Sequence, residues 1–442
     1  MTQKEYPRLL ERCVEERLEN GLLICVVPKA GFSRAYAFLA TDYGSNDTKF
    51  LLDGEVRTSP DGVAHYLEHK MFDMPEGDAT YAFAKLGASP NAFTSYAMTA
   101  YHFDCTAHFE ENLRILLRFV STPYFTQESV EKERGIIEQE IRMYLDSAGS
   151  RVYENLFAAL YHQHPVRVPI AGTVESIGEI DAGTLEACYR AFYAPSNMML
   201  CVVGDVEPER VFAIAREVMK QDGGSKALHD YGGEEPMAPA RSRIVERMEI
   251  AMPTFAMGIK CSPCSEEENI MHFEAVGDFA AELLAGESTE LYRSLYERGL
   301  IDSDFSIGFE CMRGMAVIVA SGDSMEPERV QEEILLAAER LLRDGIDEAQ
   351  FQRLKKAAIG RRIRDLDSFE SICYRLCAYR FDGVDYFTFP EVYASLRSEE
   401  VLRFLRENLR RERCAMSLIY PKAEGDEAED AAPDKQETEF EV

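Results

Sequence analysis

The feature that most limits how this chain can fold is a succession of β-rich runs and helix-period segments that occurs twice, on either side of one aperiodic stretch. Before that stretch, "GLLICVVPK" and "SRAYAFLATDYGS" have strand composition, "SPDGVAHYLEHKMF" has a helical period, "NAFTSYAMTAYHFDC" reads as a strand and "EENLRILLRFV" as a helix. After it come a strand "TFAMGIKCS", helices within "EEENIMHFEAVGDFAAELLAG" and "STELYRSLYERGL", and a strand and helix in "MAVIVASGDSMEPERVQEEILLAAERLL". The stretch itself, "QDGGSKALHDYGGEEPMAPA", is rich in Gly and Pro, the composition of a connection between domains. An α+β fold is therefore expected, with two structurally similar α/β sandwich halves at 1–220 and 241–422 joined by a linker at 221–240. "GDVEPERV" at 204–211 and "GDSMEPERV" at 322–330 echo one another, each a strand exit into a helix whose first turn carries acids. The tail at 423–442 is acidic and poor in large apolar residues, so disorder is expected there.

A chain of 442 residues with 46% hydrophobic and 29% charged residues can bury sizeable cores. Its 48 Lys plus Arg face 78 Asp plus Glu, and the net charge of -30 repels phosphate backbones and anionic membranes. Neither nucleic acid nor a membrane is expected as partner; cationic or neutral partners fit. No apolar run approaches the roughly 20 residues that span a bilayer, and "MTQKEYPRLLERCVEERLEN" lacks the apolar core of a secretory signal, so a cytoplasmic location is expected. Eleven cysteines sit mostly in apolar contexts such as "LICVV", as reduced thiols do, and no disulfide framework is expected. Cys261 and Cys264 form a CxxC, but a structural zinc site needs a second ligand pair, and none stands at a suitable spacing.

Histidine is scarce, eight in the whole chain, yet His65 and His69 lie four apart with Glu68 between them. On a helix such a pair projects from one face, one turn apart, so two imidazoles can share one metal ion. Pro60 suits a first helical turn, and Ser59 or Asp61 can cap it. The competing account is an amphipathic helix whose histidines pair by chance. A catalytic zinc site needs a third protein ligand, so a carboxylate is required elsewhere, in a place where an unpaired acid is costly.

"TQESVEKERGIIEQEIRMYLDS" at 126–147 offers one. At about 100° per residue, Val130, Ile137, Ile141 and Tyr144 cluster on one side and Ile136 and Met143 extend that arc. Glu133 and Glu140, seven apart, point into its middle, whereas Glu128, Glu131, Glu138 and Arg142 form an ordinary solvated face. Helical geometry alone does not choose between Glu133 and Glu140, and a salt-bridged domain contact is the bland alternative.

"HYLEH" has the His-x-x-Glu-His order of the inverzincins, and its surroundings resemble the pitrilysin/insulinase family of zinc metallopeptidases, in particular the two-domain, processing-peptidase-like branch. The likeness runs from about residue 15 to 420 through "GVAHYLEHKMF", "NAFTSYAMTAYHF", "EKERGIIEQEIRMY", "HPVRVPIAGTVESI", "FYAPSNMMLCVVGDV" and "ELYRSLYERGLI". Within the family it is most similar to a bacterial cytosolic subgroup often named after modification of elongation factor P. The resemblance implies a clamshell of a catalytic N-terminal and a non-catalytic C-terminal half, with His65, His69 and Glu140 as ligands of one zinc per chain. It implies Glu68 as general base, Glu133 as an additional carboxylate supporting the ligands, and Asn91, Ala92, Phe93 and Thr94 as a cleft-edge strand to which a peptide adds through its main chain. His162 and His164, spaced i, i+2 before Pro165, suit a loop better than a ligand pair.

One departure stands out. Where relatives carry an Arg and a Tyr around the Gly-Leu of "ERGL" to hold substrate or the oxyanion, this chain has Leu295 and Asp302. The expected function is a zinc endopeptidase acting on peptides or short unfolded segments, assembled as a homodimer or with a related chain. The alternatives are a non-catalytic or partner-dependent subunit of a processing peptidase, and a dedicated maturation protease for one precursor.

Overall fold

The protein is described here from a computed structural model covering residues 1–224 and 226–422. The acidic tail lies outside the described residues. In chain order the first part contains strands β1 (Thr2–Tyr6), β2 (Glu11–Arg17), β3 (Leu23–Pro28), β4 (Ala35–Thr41), β5 (Lys49–Leu52), β6 (Glu55–Thr58), β7 (Ser89–Thr94), β8 (Thr99–Cys105), β9 (Met198–Gly204) and β10 (Leu228–His229). Its helices are α1 (Val63–Met71), α2 (Ala79–Lys85), α3 (Phe109–Val120), α4 (Gln127–Leu145), α5 (Ala148–Leu160), α6 (Val174–Gly178), α7 (Ala182–Phe192) and α8 (Pro208–Val218). The second part contains β11 (Arg243–Met248), β12 (Thr254–Lys260), β13 (Ser306–Met312), β14 (Met315–Asp323) and β15 (Cys414–Pro421). With them go α9 (Ile270–Ala285), α10 (Glu290–Glu297), α11 (Pro327–Asp344), α12 (Glu348–Arg364), α13 (Phe369–Phe381), α14 (Phe389–Ser395) and α15 (Ser398–Asn408).

The first sheet has the order β1-β2-β3-β9-β4-β8-β7 and the second β11-β15-β12-β14-β13. Only β3 with β9 and β11 with β15 run parallel. The last five strands of the first sheet therefore repeat in the second with the same order and directions. In both halves five α-helices separate the fourth strand of this unit from the strand that returns to the middle of the sheet. The fold expected from the sequence is present, but its visible echo joins non-equivalent places: "GDVEPERV" follows β9, whose counterpart is β15, whereas "GDSMEPERV" follows β14, the counterpart of β8.

Each sheet is apolar on both faces, and that decides how the halves assemble. Tyr66, Leu67, Leu113 and Leu185, on α1, α3 and α7, pack with Ile24, Leu39 and Val202 of the first sheet. The opposite face, with Cys25, Phe38 and Cys201, joins a core containing Ile372, Cys373 and Leu376 of α13 and the helices of the second half. Reciprocally, Leu156, Phe157 and Leu160 of α5 bury against Ala256, Val317 and Ile419 of the second sheet. The halves thus exchange equivalent helices, α5 for α13, and each completes the other's sandwich.

Three further features differ from the sequence expectations. "NAFTSYAMTAYHFDC" is a hairpin, with Ser95 N–H bonded to the Met98 carbonyl at 2.8 Å, and it lacks the Asn-Gly or Gly signal that would mark its turn. Cys13 of β2 and Cys25 of β3 bring their Sγ atoms together across the strand pair. The Gly/Pro-rich connection is anchored by polar contacts that no apolar period would disclose. Its β10 pairs with β5, and Glu235 accepts the backbone N–H groups of His162, Gln163 and His164 at 2.8–3.0 Å and the Lys260 ammonium at 2.7 Å. Beside it, His229 Nδ1 donates to buried Asp47 at 2.6 Å, and Arg313 of the second half reaches buried Asp42 at 2.7 Å.

Phe157 is fully buried in the α5 contact. Phe157→Ala should lower unfolding free energy by about 3–5 kcal/mol, the usual cost of deleting a core aromatic, read from urea denaturation followed by circular dichroism.

Candidate metal centre

The two histidines are presented by α1, whose start differs from the capping expected. Gly62, not Ser59 or Asp61, stands at the N-cap, in the left-handed region at φ 91°, and Pro60 precedes the helix. A Cβ on Gly62 would come within 2.5 Å of the Ala171 carbonyl oxygen, and one on Gly172, φ 75°, within 2.6 Å of the Asp61 oxygen. These two glycines let the segment 169–175 cross directly against the helix start. Ser176 Oγ donates to the Asp61 carbonyl at 2.9 Å and holds that crossing.

The carboxylates come from α4, capped by Thr126, whose side chain accepts the Ser129 N–H. Val130, Ile137 and Ile141 bury as expected, but Ile136 is 48% and Met143 60% exposed, and Tyr144 opens onto a cleft. The apolar arc is narrower than its composition suggests, because the surrounding elements cover only the stripe through Val130, Ile137 and Ile141. Glu133 and Glu140 lie along its margin, neither sealed in nor fully solvated.

Their roles separate in three dimensions. Glu140 faces both imidazoles, with Oε1 3.6 Å from His65 Nε2 and Oε2 3.3 Å from His69 Nε2. Glu133 Oε1 instead accepts His69 Nδ1–H at 3.0 Å. That contact fixes the tautomer that leaves Nε2 directed at Glu140, the usual arrangement around a metal-binding histidine. His65, His69 and Glu140 offer one ligand atom each within 4.8 Å of one another. Two imidazoles and a carboxylate at this spacing suit zinc. His65 is buried, and among the described residues its Nδ1 has no hydrogen-bond partner.

Glu68 stands off this cluster, and Thr94 Oγ1 donates to its Oε2 at 2.7 Å. Two residues not anticipated as site residues also border it. Tyr144 OH donates to Glu140 Oε1 at 2.7 Å, and Arg151, held at 3.1 Å by Glu246 of β11, lines the same cleft of about 940 Å³. Tyr144 could have been found as the one polar-tipped member of the apolar arc, one turn after Glu140; Arg151 left no such signal.

β7 is an edge strand, and its Ala92, Phe93 and Thr94 line the cleft; Asn91 lies on the same strand outside the lining. Leu295 is sealed in the core, and Asp302 caps a local turn through Asp304 N–H, so neither reaches the cluster. His162 Nε2 meets the Ala238 carbonyl and His164 Nε2 the Arg313 carbonyl, both at 3.1 Å, so they hold loops together. Cys261 is buried at the end of β12, and Cys264 lies in the loop beyond.

The second half has the same scaffold with different chemistry. There α9 and α12 occupy the places of α1 and α4, and Glu274 and Asp278 are four apart, as His65 and His69 are. Arg362 donates to Glu274 at 2.9 Å and lies 3.9 Å from Asp278. A tethered guanidinium replaces the carboxylate that faces two histidines in the first half.

The chain belongs to the insulinase family, peptidase family M16. Residues 56–174 match the family model described as Insulinase (Peptidase family M16), and 179–358 the one described as Peptidase M16 inactive domain. The chain is 38% identical over 430 residues to the "Uncharacterized zinc protease YmfH" of Bacillus subtilis, covering 95% of this chain and 99% of that one. It is 23% identical over 323 residues to the "Zinc protease PqqE" of Helicobacter pylori, 70% of this chain and 72% of that one. Among solved structures, an M16-like peptidase from Alicyclobacillus acidocaldarius superposes with a TM-score of 0.89 at 33% identity, over 93% of this chain and 99% of that one. A Helicobacter pylori protease, at 19% identity and TM-score 0.79 over 93% and 100% of the two chains, shares the fold.

Burial alone would lower the pKa of His69, but its contacts with Glu133 and Glu140 carry it from 6.5 up to about 9. Glu140 is held well below the usual carboxylate range by His65 and His69. A raised histidine stabilises the fold fully below its unfolded value and loses that contribution as pH rises through the folded one. Metal-free protein should therefore lose thermal stability between pH 6.5 and about 9, more than its His69→Asn variant does. Equal slopes for the two proteins in calorimetry would contradict the assignment.

Proposed function

We propose that this chain is a zinc-dependent endopeptidase that hydrolyses peptides or short unfolded segments. The observation that carries this reading is the convergence of His65, His69 and Glu140 on one point, with Glu68 beside them on the wall of a single cleft. The zinc-protease names of the similar chains support it. His65 and His69 would bind one zinc per chain through Nε2, with Glu140 as third ligand, and Glu133 would hold the His69 ring in place. When bound, zinc supplies Lewis acidity, making an attacking water more acidic and polarising the scissile carbonyl.

Glu68 is the general base: it takes the proton of the attacking water and passes it to the departing amine. Thr94, donating to Oε2, fixes that carboxylate in one orientation and leaves Oε1 for the proton. Asn91 to Thr94 would pair with the main chain of an extended substrate at the sheet edge, which selects for extended backbone over particular side chains. Glu68, Glu140, Glu154 and Glu175 line the cleft against Arg151, which favours basic peptides.

A non-catalytic or partner-dependent subunit is the second reading, favoured by the inactive-domain description matched by 179–358; the grouping of His65, His69 and Glu140 with Glu68 on one cleft supports the first. We further propose a cytoplasmic chain that assembles as a homodimer or with a related chain. Among the described residues no helix is long and apolar enough to cross a membrane.

Purified protein should contain about one zinc per chain, as a site of this kind holds a single ion. Glu68→Gln should retain the metal while hydrolysis falls by about 10²–10⁴-fold; a variant as active as wild type in a peptide-library assay removes Glu68 from the mechanism. Because the metal must displace a proton from His69, apparent zinc affinity should rise with pH up to about 9, measured by competition with a chromophoric chelator. At low salt, basic library members should be cleaved faster than acidic ones, and equal rates would count against the charge argument.

A further inference from the structure

Among the described residues, the cleft that contains Glu68 and the His65, His69 and Glu140 cluster is lined by residues of the first half. A peptide carbonyl made tetrahedral there concentrates charge on its oxygen, and a hydrogen-bond donor placed beside the Lewis acid adds to the stabilisation of that charge. The donors already placed on the wall of this cleft are first-half groups. Thr94 O–H is engaged by Glu68, and Tyr153 O–H by Glu310 across the interface of the halves. Arg151 divides its guanidinium among Glu246, Glu154 and Asn155. Tyr96 lines this cleft and also a second cavity between the halves, on the turn between β7 and β8.

Tyr144 differs from all of these. It sits one turn beyond Glu140 on α4, lies 36% exposed, lines the cleft, and donates its single O–H to Glu140 Oε1 at 2.7 Å. The phenol is thus the side-chain donor in direct contact with the residue that faces both histidines.

We propose that Tyr144 donates a hydrogen bond to the carbonyl oxygen of the scissile peptide as that oxygen gains charge, so that the first half supplies its own oxyanion donor. This rests on the endopeptidase reading. The phenol keeps its proton throughout; only its acceptor changes, from Glu140 Oε1 in the free protein to the charged oxygen in the transition state. A neutral amide oxygen competes poorly with a carboxylate for one O–H, whereas an oxyanion competes well. The contact is therefore made in the transition state and not in the ground state, which places its effect on kcat and not on KM.

The test compares full-length, zinc-loaded wild type with Tyr144→Phe, which removes the hydroxyl and keeps the ring. The expected result is a kcat lower by about 10²-fold, the size of effect seen when one oxyanion donor is removed, with KM changed less than about twofold. Affinity for a phosphinic peptide, whose tetrahedral phosphorus carries the charged oxygen, should fall by a similar factor while zinc affinity in chelator competition stays within about threefold. Circular dichroism and melting temperature check that the variant is folded. A variant with weakened zinc affinity and wild-type kcat per bound zinc would show that the phenol only positions Glu140, and overturn the proposal. Unchanged kcat with unchanged phosphinic-peptide affinity would overturn it as well. Zinc-loaded wild type that hydrolyses no library peptide and binds no phosphinic peptide would defeat the endopeptidase reading itself, and this proposal with it.

Discussion

Two sheets, each apolar on both faces, cannot both be covered by the helices that follow them in the chain, and this constraint organises the molecule. Each sheet buries one face under its own helices and needs a layer for the other. α5 leaves the first half to lie under Ala256, Val317 and Ile419, and α13 crosses in the opposite direction to Cys25, Phe38 and Cys201. The candidate metal centre inherits this architecture. α4 is joined to α5 by a sharp turn at Asp146 and Ser147, so the helix that carries Glu133 and Glu140 is tied at its end to the second sheet. α1, with the two histidines, rests on the first. α4 buries Val130, Ile137 and Ile141 in the same core as α1, so the cluster sits on the first half, next to the turn through which the chain passes under the second sheet.

Against that frame the chemistry of the site follows from desolvation. Carboxylates at a half-buried helix margin are unfavourable unless a cation or donors meet them. Glu133 and Glu140 are met by imidazoles, Glu140 additionally by a phenol, and Glu68 by a threonine hydroxyl. The division of labour between the two acids of α4 comes from their height along the helix. Glu133 reaches the outer nitrogen of His69 and Glu140 the inner nitrogens of both rings.

Much of this was readable from the chain. The spacing of His65 and His69 with Glu68 between them, and two acids interrupting an apolar stripe, are periodicity signals that survive without tertiary information. The choice between Glu133 and Glu140 was not readable, because a seven-residue separation places both on one stripe and only the position of α1 tells them apart. Ile136, Met143 and Tyr144 looked like core for the same reason: a helical wheel shows which residues share a face, not how wide a neighbour covers it. The exchange of α5 and α13 left no local trace either, since an amphipathic helix does not encode which sheet it will cover. The hairpin within "NAFTSYAMTAYHFDC" was hidden by a turn of unexceptional residues, and the two-half echo was misplaced because short strand-exit patterns recur at non-equivalent positions.

Arg362 gives the duplicated scaffold an asymmetry. In the first half the positive charge that satisfies the acids of the helix pair must come from outside, as a proton on an imidazole or as an ion, and it can be gained or lost with the surroundings. In the second half the charge is part of the chain, a guanidinium that stays protonated at any ordinary pH and cannot be chelated away. The positive charge of the first-half arrangement can be exchanged with the environment, whereas that of the second half is carried in the chain. Two like scaffolds in one chain thus differ in where their counter-charge comes from: one takes it from its surroundings, and the other holds it as a guanidinium between Glu274 and Asp278.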